Sequence, residues 1–165
     1  MKKIITLILG ILSIFLTSCT QPNGIQLPNL ENKTREQIVQ ILEEKNINVI
    51  DFGTNGTESV DYPDFARPAA EYVKDQKANF GILICYTGIG MSMSANKVKG
   101  IRAALVSSVE NAHLTREHNN ANVLCLAAKD TCLELAKQIV DEFLNTEFAG
   151  GRHERRVNKV MEIEE

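Results

Sequence analysis

The 165-residue chain has no tryptophan, only 5% aromatic residues, and fewer basic than acidic side chains, 18 against 21. So few rings and no basic field exclude a nucleic-acid binder built on base stacking or on neutralising a phosphate backbone; any anion site has to be local. The four cysteines contain no Cys-x-x-Cys pair, and the three histidines stand at no ligating spacing. Neither a zinc site nor a disulfide framework is suggested, and Cys85, Cys125 and Cys132 leave an odd number of thiols besides Cys19. No internal repeat is visible. With 44% apolar residues, the composition describes one ordinary domain able to bury a core.

Long hydrophobic runs are also scarce. The main one, residues 4–16, follows Met1-Lys2-Lys3 and precedes Thr17-Ser18-Cys19. As a helix it would reach only about 20 Å, short of a hydrocarbon core of about 30 Å. It therefore reads as a secretory signal over residues 1–18, and Leu16-Thr17-Ser18-Cys19 resembles a bacterial lipobox in which Cys19 is acylated. That reading implies a membrane-anchored lipoprotein. A buried apolar segment, or a misassigned start in a cytoplasmic protein, is the alternative. Residues 19–33, with Pro22, Gly24 and Pro28, read as a polar tether, and residues 34–165 as the folded domain.

From residue 35 onward helical and strand patterns alternate. Helices are expected over 35–45, from Phe65 to about Gln76, over 91–97, 109–117 and 131–144; strands are expected over 47–52, 80–85, 101–106 and 122–126. Phe80-Gly81-Ile82-Leu83-Ile84-Cys85 is a continuous apolar run, the pattern of a strand covered on both faces. The alternation predicts an α/β doubly wound parallel sheet, three layers αβα, Rossmann-like with the flavodoxin-like strand order 2-1-3-4-5. Ligands in that class sit at the carboxyl ends of strands. This directs attention to Gly53-Thr54, to Cys85 through Gly90, to Val106-Ser107-Ser108 and to Ala127-Ala128-Lys129.

Cys85 ends a strand and precedes a glycine-containing loop that opens a helix, a position that favours a thiolate. The N–H groups of Thr87, Gly88, Ile89 and Gly90 can turn toward one point and form an anion site. A base beside an oxyanion site suits proton abstraction; spacing alone leaves open a buried, inert cysteine over a structural turn. Arg152 and Arg156 are four apart, so on a helix they share a face and can grip a phosphate dianion, or form an ordinary solvated surface. Arg155 falls off that face. His113 reads as a helix-surface residue, and Cys125 and Cys132 read as packing residues.

Gly81-Ile82-Leu83-Ile84-Cys85-Tyr86-Thr87-Gly88-Ile89-Gly90-Met91-Ser92 followed by Ala95-Asn96-Lys97-Val98 closely resembles the signature of the type B ribose-5-phosphate isomerases, the family that includes galactose-6-phosphate isomerase subunits. Val49 to Thr54, Val60 to Asp64, Leu114 to Leu124 and Gly150 to Val157 agree in order, so the resemblance spans roughly residues 35–163. It implies an aldose–ketose isomerase interconverting ribose 5-phosphate and ribulose 5-phosphate through an enediolate. It also implies no metal or organic cofactor, and a homodimer with sites at the subunit interface. Carried over, Cys85 matches the catalytic base, and Thr87 with the Gly88, Ile89 and Gly90 amides matches the holder of the enediolate oxygen. His118 matches the ring-opening histidine, Asn119 and Tyr62 match substrate contacts, and Arg152 and Arg156 match the phosphate clamp. A hexose 6-phosphate is the alternative substrate, and a catalytically weakened, lipid-anchored member of the fold is the alternative role.

Three departures stand out. The family's first strand ends in an Asp-His pair, and an ungapped count back from Asp51 puts those positions on Pro28 and Asn29. The first strand is therefore expected to be replaced or shortened, with Ile25-Gln26-Leu27 the favoured source and part of residues 4–16 the other. Tyr86 stands where glycine is usual. Lys129 stands where arginine is common, keeping charge without the bidentate fork.

Overall fold

A computed structural model describes residues 3–8, 19–20, 26–27, 34–54 and 60–164. Its main sheet has five parallel strands: β1 (Lys3–Ile8), β4 (Asn48–Asp51), β5 (Phe80–Cys85), β6 (Ala103–Leu105) and β7 (Val123–Ala127). Between and after them come α1 (Thr34–Glu44), α2 (Pro63–Lys74), α3 (Ile89–Ala95), α4 (Val109–Asn119), α5 (Leu133–Asn145) and α6 (Arg152–Met161). Period-2 alternation sends β5 and β7 side chains to opposite faces. Ile82, Ile84, Leu124 and Leu126 pack with Ile38 and Leu42 of α1 and with Ile139, Val140 and Phe143 of α5. Leu83, Cys85, Val123 and Cys125 pack with Ala66, Ala69 and Val73 of α2 and with Met91 and Ala95 of α3. Helices thus cover both faces, which is the expected αβα sandwich.

Strand order differs from expectation in its second half. The sheet runs β4-β1-β5-β7-β6. Numbered by their order along the chain, its strands lie 2-1-3-5-4, so the last two are exchanged relative to the flavodoxin-like order. Burial gives the reason: all five residues of β7 are buried, whereas β6 is short and leaves Leu105 43% exposed. A strand apolar on both faces belongs inside and a half-exposed one at the rim. The exchange puts Ala127 opposite Cys85 and Cys125 opposite Leu83.

The first strand comes from an unfavoured source. Lys3–Ile8 lies between β4 and β5, with Lys3 to Thr6 opposite Asn48 to Asp51 and Ile4 to Ile8 opposite Phe80 to Ile84. Ile25-Gln26-Leu27 does not supply it; Gln26–Leu27 (β3) instead pairs antiparallel with Cys19–Thr20 (β2) in a separate two-stranded sheet. Part of the expected tether is therefore paired strand. The reason is length and composition: a central parallel strand needs five or six apolar residues with free backbone on both sides, and Ile4-Ile5-Thr6-Leu7-Ile8 offers that where the Pro28-bounded stretch does not. Residues 9–18, the rest of the proposed signal, and Pro28 and Asn29 lie outside the described residues.

Removing residues 1–18 takes away the strand between β4 and β5 and leaves both with unpaired backbone. A chain starting at Cys19 is expected to show no cooperative thermal transition by circular dichroism, whereas the full chain melts in one step.

Candidate active site

β5 delivers Cys85 to the carboxyl edge of the sheet, where it is 6% exposed. Its Sγ accepts the Gly88 N–H at 3.2 Å. That bond needs a sharp reversal after Thr87, and Gly88 makes it at φ 70, with Leu105 and the Leu126 backbone where a β-carbon would go. The Ile89 N–H points to Thr87 Oγ1 at 3.4 Å. Of the four amides expected to converge on a ligand, those of Gly88 and Ile89 thus have partners in the Cys85 and Thr87 side chains. Tyr62, at the N-cap of α2, lays its ring on Gly90, so that a β-carbon there would meet ring carbons at 2.7–3.0 Å. Cys85, Thr87, Gly88, Gly90 and Tyr62 form one group.

Lys129 joins this group through its backbone: Ala128 N–H donates to the Cys85 carbonyl at 2.9 Å and Lys129 N–H to the Tyr86 carbonyl at 3.0 Å. Its ammonium is held by both carboxylate oxygens of Asp130, at 2.7 and 2.5 Å. The charge expected for phosphate is therefore already balanced. Cys125 is fully buried, and burial pushes its thiol far up, with Cys85 nearby adding to the shift and a hydrogen bond with Ser92 opposing it. It is a neutral packing residue behind Cys85.

A second group gathers His118, Asn119, Arg152 and Arg156. The His118 and His153 rings stack 4.1 Å apart and 2° from parallel. Glu117 bonds His118 Nε2 at 3.0 Å and lies 3.6 Å from His113 Nε2. His113 is more than a surface residue: Nδ1 meets Glu142 at 2.7 Å and so ties α4 to α5, and this bond, with one from Thr146, holds the Glu142 carboxyl below its ordinary value. Asn119 and Arg156 line a cavity of about 270 Å³ with Asn96, Arg102, Thr115 and Val160, and Cys85 is not among its walls. Among the described residues, no three His, Cys, Asp or Glu side chains gather as a metal would require.

The two groups lie at opposite ends of the sheet. α4 leaves the carboxyl end of β6 and runs back, so its end adjoins the amino ends of the strands: Gly81 N–H bonds the Asn122 carbonyl at 3.0 Å and Arg102 Nε the Asn120 carbonyl at 2.8 Å. Cys85 sits a strand's length away, about 17 Å at roughly 3.3 Å per residue. One copy of the chain does not bring the sulfur to the arginines.

The family model described as Ribose/Galactose Isomerase matches residues 29–160. The chain belongs to this family. Ribose-5-phosphate isomerase B of Escherichia coli is 44% identical over 131 residues, covering 79% of this chain and 88% of its own. Ribose-5-phosphate isomerase B of Clostridium thermocellum superposes with a TM-score of 0.82 at 42% identity, over 98% of this chain and 97% of that one. The enzyme of Mycoplasma genitalium, solved with bound ribulose-5-phosphate, superposes with a TM-score of 0.81 at 38% identity, over 98% and 95%. The family match starts after β1, so Lys3–Ile8 fills a structural place that the matched sequence does not include.

His153 and Glu117 are the site residues that sequence reading passed over. Each stands beside a singled-out residue in a charged run, and only the fold shows them touching His118.

Gly90→Ala is expected to drive the Tyr62 ring off the loop, read as a change in near-ultraviolet circular dichroism. Gly88→Ala adds a left-handed backbone penalty and a clash with the Leu126 backbone, and is expected to cost about 1–3 kcal/mol in a urea melt.

Proposed function

We propose that this chain is an aldose–ketose isomerase interconverting ribose 5-phosphate and ribulose 5-phosphate, with Cys85 as the base. The observation that carries the reading is the Cys85 sulfur at a strand's carboxyl end, bonded to the Gly88 N–H of the loop on which Tyr62 lies at Gly90. The Gly88 N–H is thus already aimed at the sulfur that takes the proton. His118 exchanges the protons that open the furanose ring. The Cys85 thiolate then removes the proton on C2 of the open aldose, and the C–H electrons form the enediolate as the C1 carbonyl oxygen gains charge. Thr87 and the loop amides left free by Cys85 hold that oxygen. The thiol returns its proton to C1, and the proton of the C2 hydroxyl passes to the C1 oxygen as the C2–O bond becomes the carbonyl. Every proton is conserved, and no redox partner is needed. Arg152 and Arg156 grip the phosphate.

Because the sulfur and the arginines sit at opposite ends of one copy, the reading requires two copies, each lending its α4–α6 face to the other's Cys85 loop. Hexose 6-phosphate is the alternative substrate, since the same groups act on carbons 1 and 2 of either sugar. A weakened role has its own support: β1 ends at Ile8 and the sequence continues Leu9-Gly10, so neither this strand nor Pro28-Asn29 offers the Asp-His pair. Acylation at Cys19 belongs to a different fate of the chain, because cleavage before Cys19 discards β1. Among the described residues, no helix is long and apolar enough to cross a membrane.

Cys85→Ala and His118→Ala are each expected to abolish ribose 5-phosphate isomerisation in a coupled assay. Mixed in equal amounts and re-equilibrated, the two inactive proteins should recover about a quarter of full activity, because half the dimers are mixed and each carries one intact site. Turnover of neither pentose nor hexose phosphate by the full chain would sink the reading.

A further inference from the structure

His153 makes two contacts that a surface residue has no need of. Its ring lies parallel to that of His118 at 4.1 Å, and its Nε2 receives the Arg152 Nε–H at 3.2 Å. A guanidinium has only donors, so the nitrogen facing it carries no proton; the ring is neutral and its proton sits on Nδ1. We propose that His153 is a positioning residue whose Nε2 aims the Arg152 guanidinium and whose ring sets the plane of His118, locking the phosphate grip and the ring-opening group into one unit. The inference rests on the isomerase reading for the roles of Arg152 and His118.

The charges around His153 agree with this arrangement. Arg152 and Arg156 face it from its own helix and His118 from α4, while Glu117 is the acidic group that opposes them from α4. Desolvation against the neighbouring helix, then His118 and the two arginines, hold His153 below the ordinary histidine value. Protonating Nε2 would aim an N–H at a guanidinium. The contact with Arg152 is therefore intact at neutral and alkaline pH and is lost as pH falls through the lowered value.

Two variants separate the two contacts. His153→Phe keeps a flat ring and removes the acceptor; it is expected to raise KM about fivefold with little change in kcat and to weaken inorganic phosphate binding by a similar factor. His153→Asn keeps an acceptor and removes the ring plane; it is expected to lower kcat about tenfold with KM near that of the parent, and to move the imidazole resonances of His118 in an NMR titration. In the parent, KM should rise as pH falls through the lowered His153 value, and in His153→Phe that rise should vanish. Parental kinetics in both variants, with His118 resonances and phosphate affinity unmoved, would overturn the proposal. Phosphate affinity and the His118 resonances are read without turnover. A chain that isomerises no sugar phosphate therefore refutes the isomerase reading, while those two measurements still decide the positioning role.

Discussion

Backbone pairing at the centre of the sheet is the constraint on which the rest depends. Every N–H and C=O of a buried parallel strand has to find a partner, alternate residues turning to the strand on either side, because no water reaches it. β5 meets that demand between β1 and β7 and carries Cys85 at its carboxyl end. β1 meets it with Lys3–Ile8, a segment outside the stretch that matches the family. Fold and sequence likeness therefore separate at this strand: the place is occupied, and the polar pair expected at its end is not supplied. Structural completeness and chemical completeness are different properties here.

Around that framework, glycine and burial shape the reactive loop. Gly88 turns its amide onto the sulfur because a side chain at φ 70 would run into Leu105 and Leu126, and Gly90 leaves room for the Tyr62 ring. Behind Cys85, Cys125 is fully enclosed and burial holds its thiol neutral. On the far side of the core, the Arg116 guanidinium lies over the Phe80 and Phe143 rings at 4.8 and 5.6 Å and donates to the Ala121 carbonyl at 2.6 Å. This buried cation anchors the end of α4, from which His118 and Asn119 project.

Much of this is legible in the amino-acid sequence. Phe80 to Cys85 reads as a buried strand because six residues carry no charge, and the helix of residues 133–145 reads from its apolar stripe. Periodicity does not encode lateral order, so the exchange of β6 and β7 was not legible, although Arg102 beside a short Ala-Ala-Leu segment marks a rim strand against Val-Leu-Cys-Leu-Ala. An Ile- and Leu-rich run satisfies both a signal and a central strand, and composition alone does not separate them. The four-residue spacing puts Arg152 and Arg156 on one helix face, and both lie in α6. The contact of His153 was not legible, because its partner stands some 35 positions earlier and only the packing of α6 on α4 brings them together.

The placement of β1 also has a consequence in time. The residues that flank it arrive late: Asn48 is 45 positions after Lys3, and Phe80 is 76 after Ile4. At a synthesis rate of about 5–20 residues per second, this greasy leading segment leaves the ribosome roughly 2–9 seconds before its first neighbour exists, and roughly 4–15 seconds before its second. During that interval any factor that captures nascent apolar peptides competes with the unfinished protein for the same six residues.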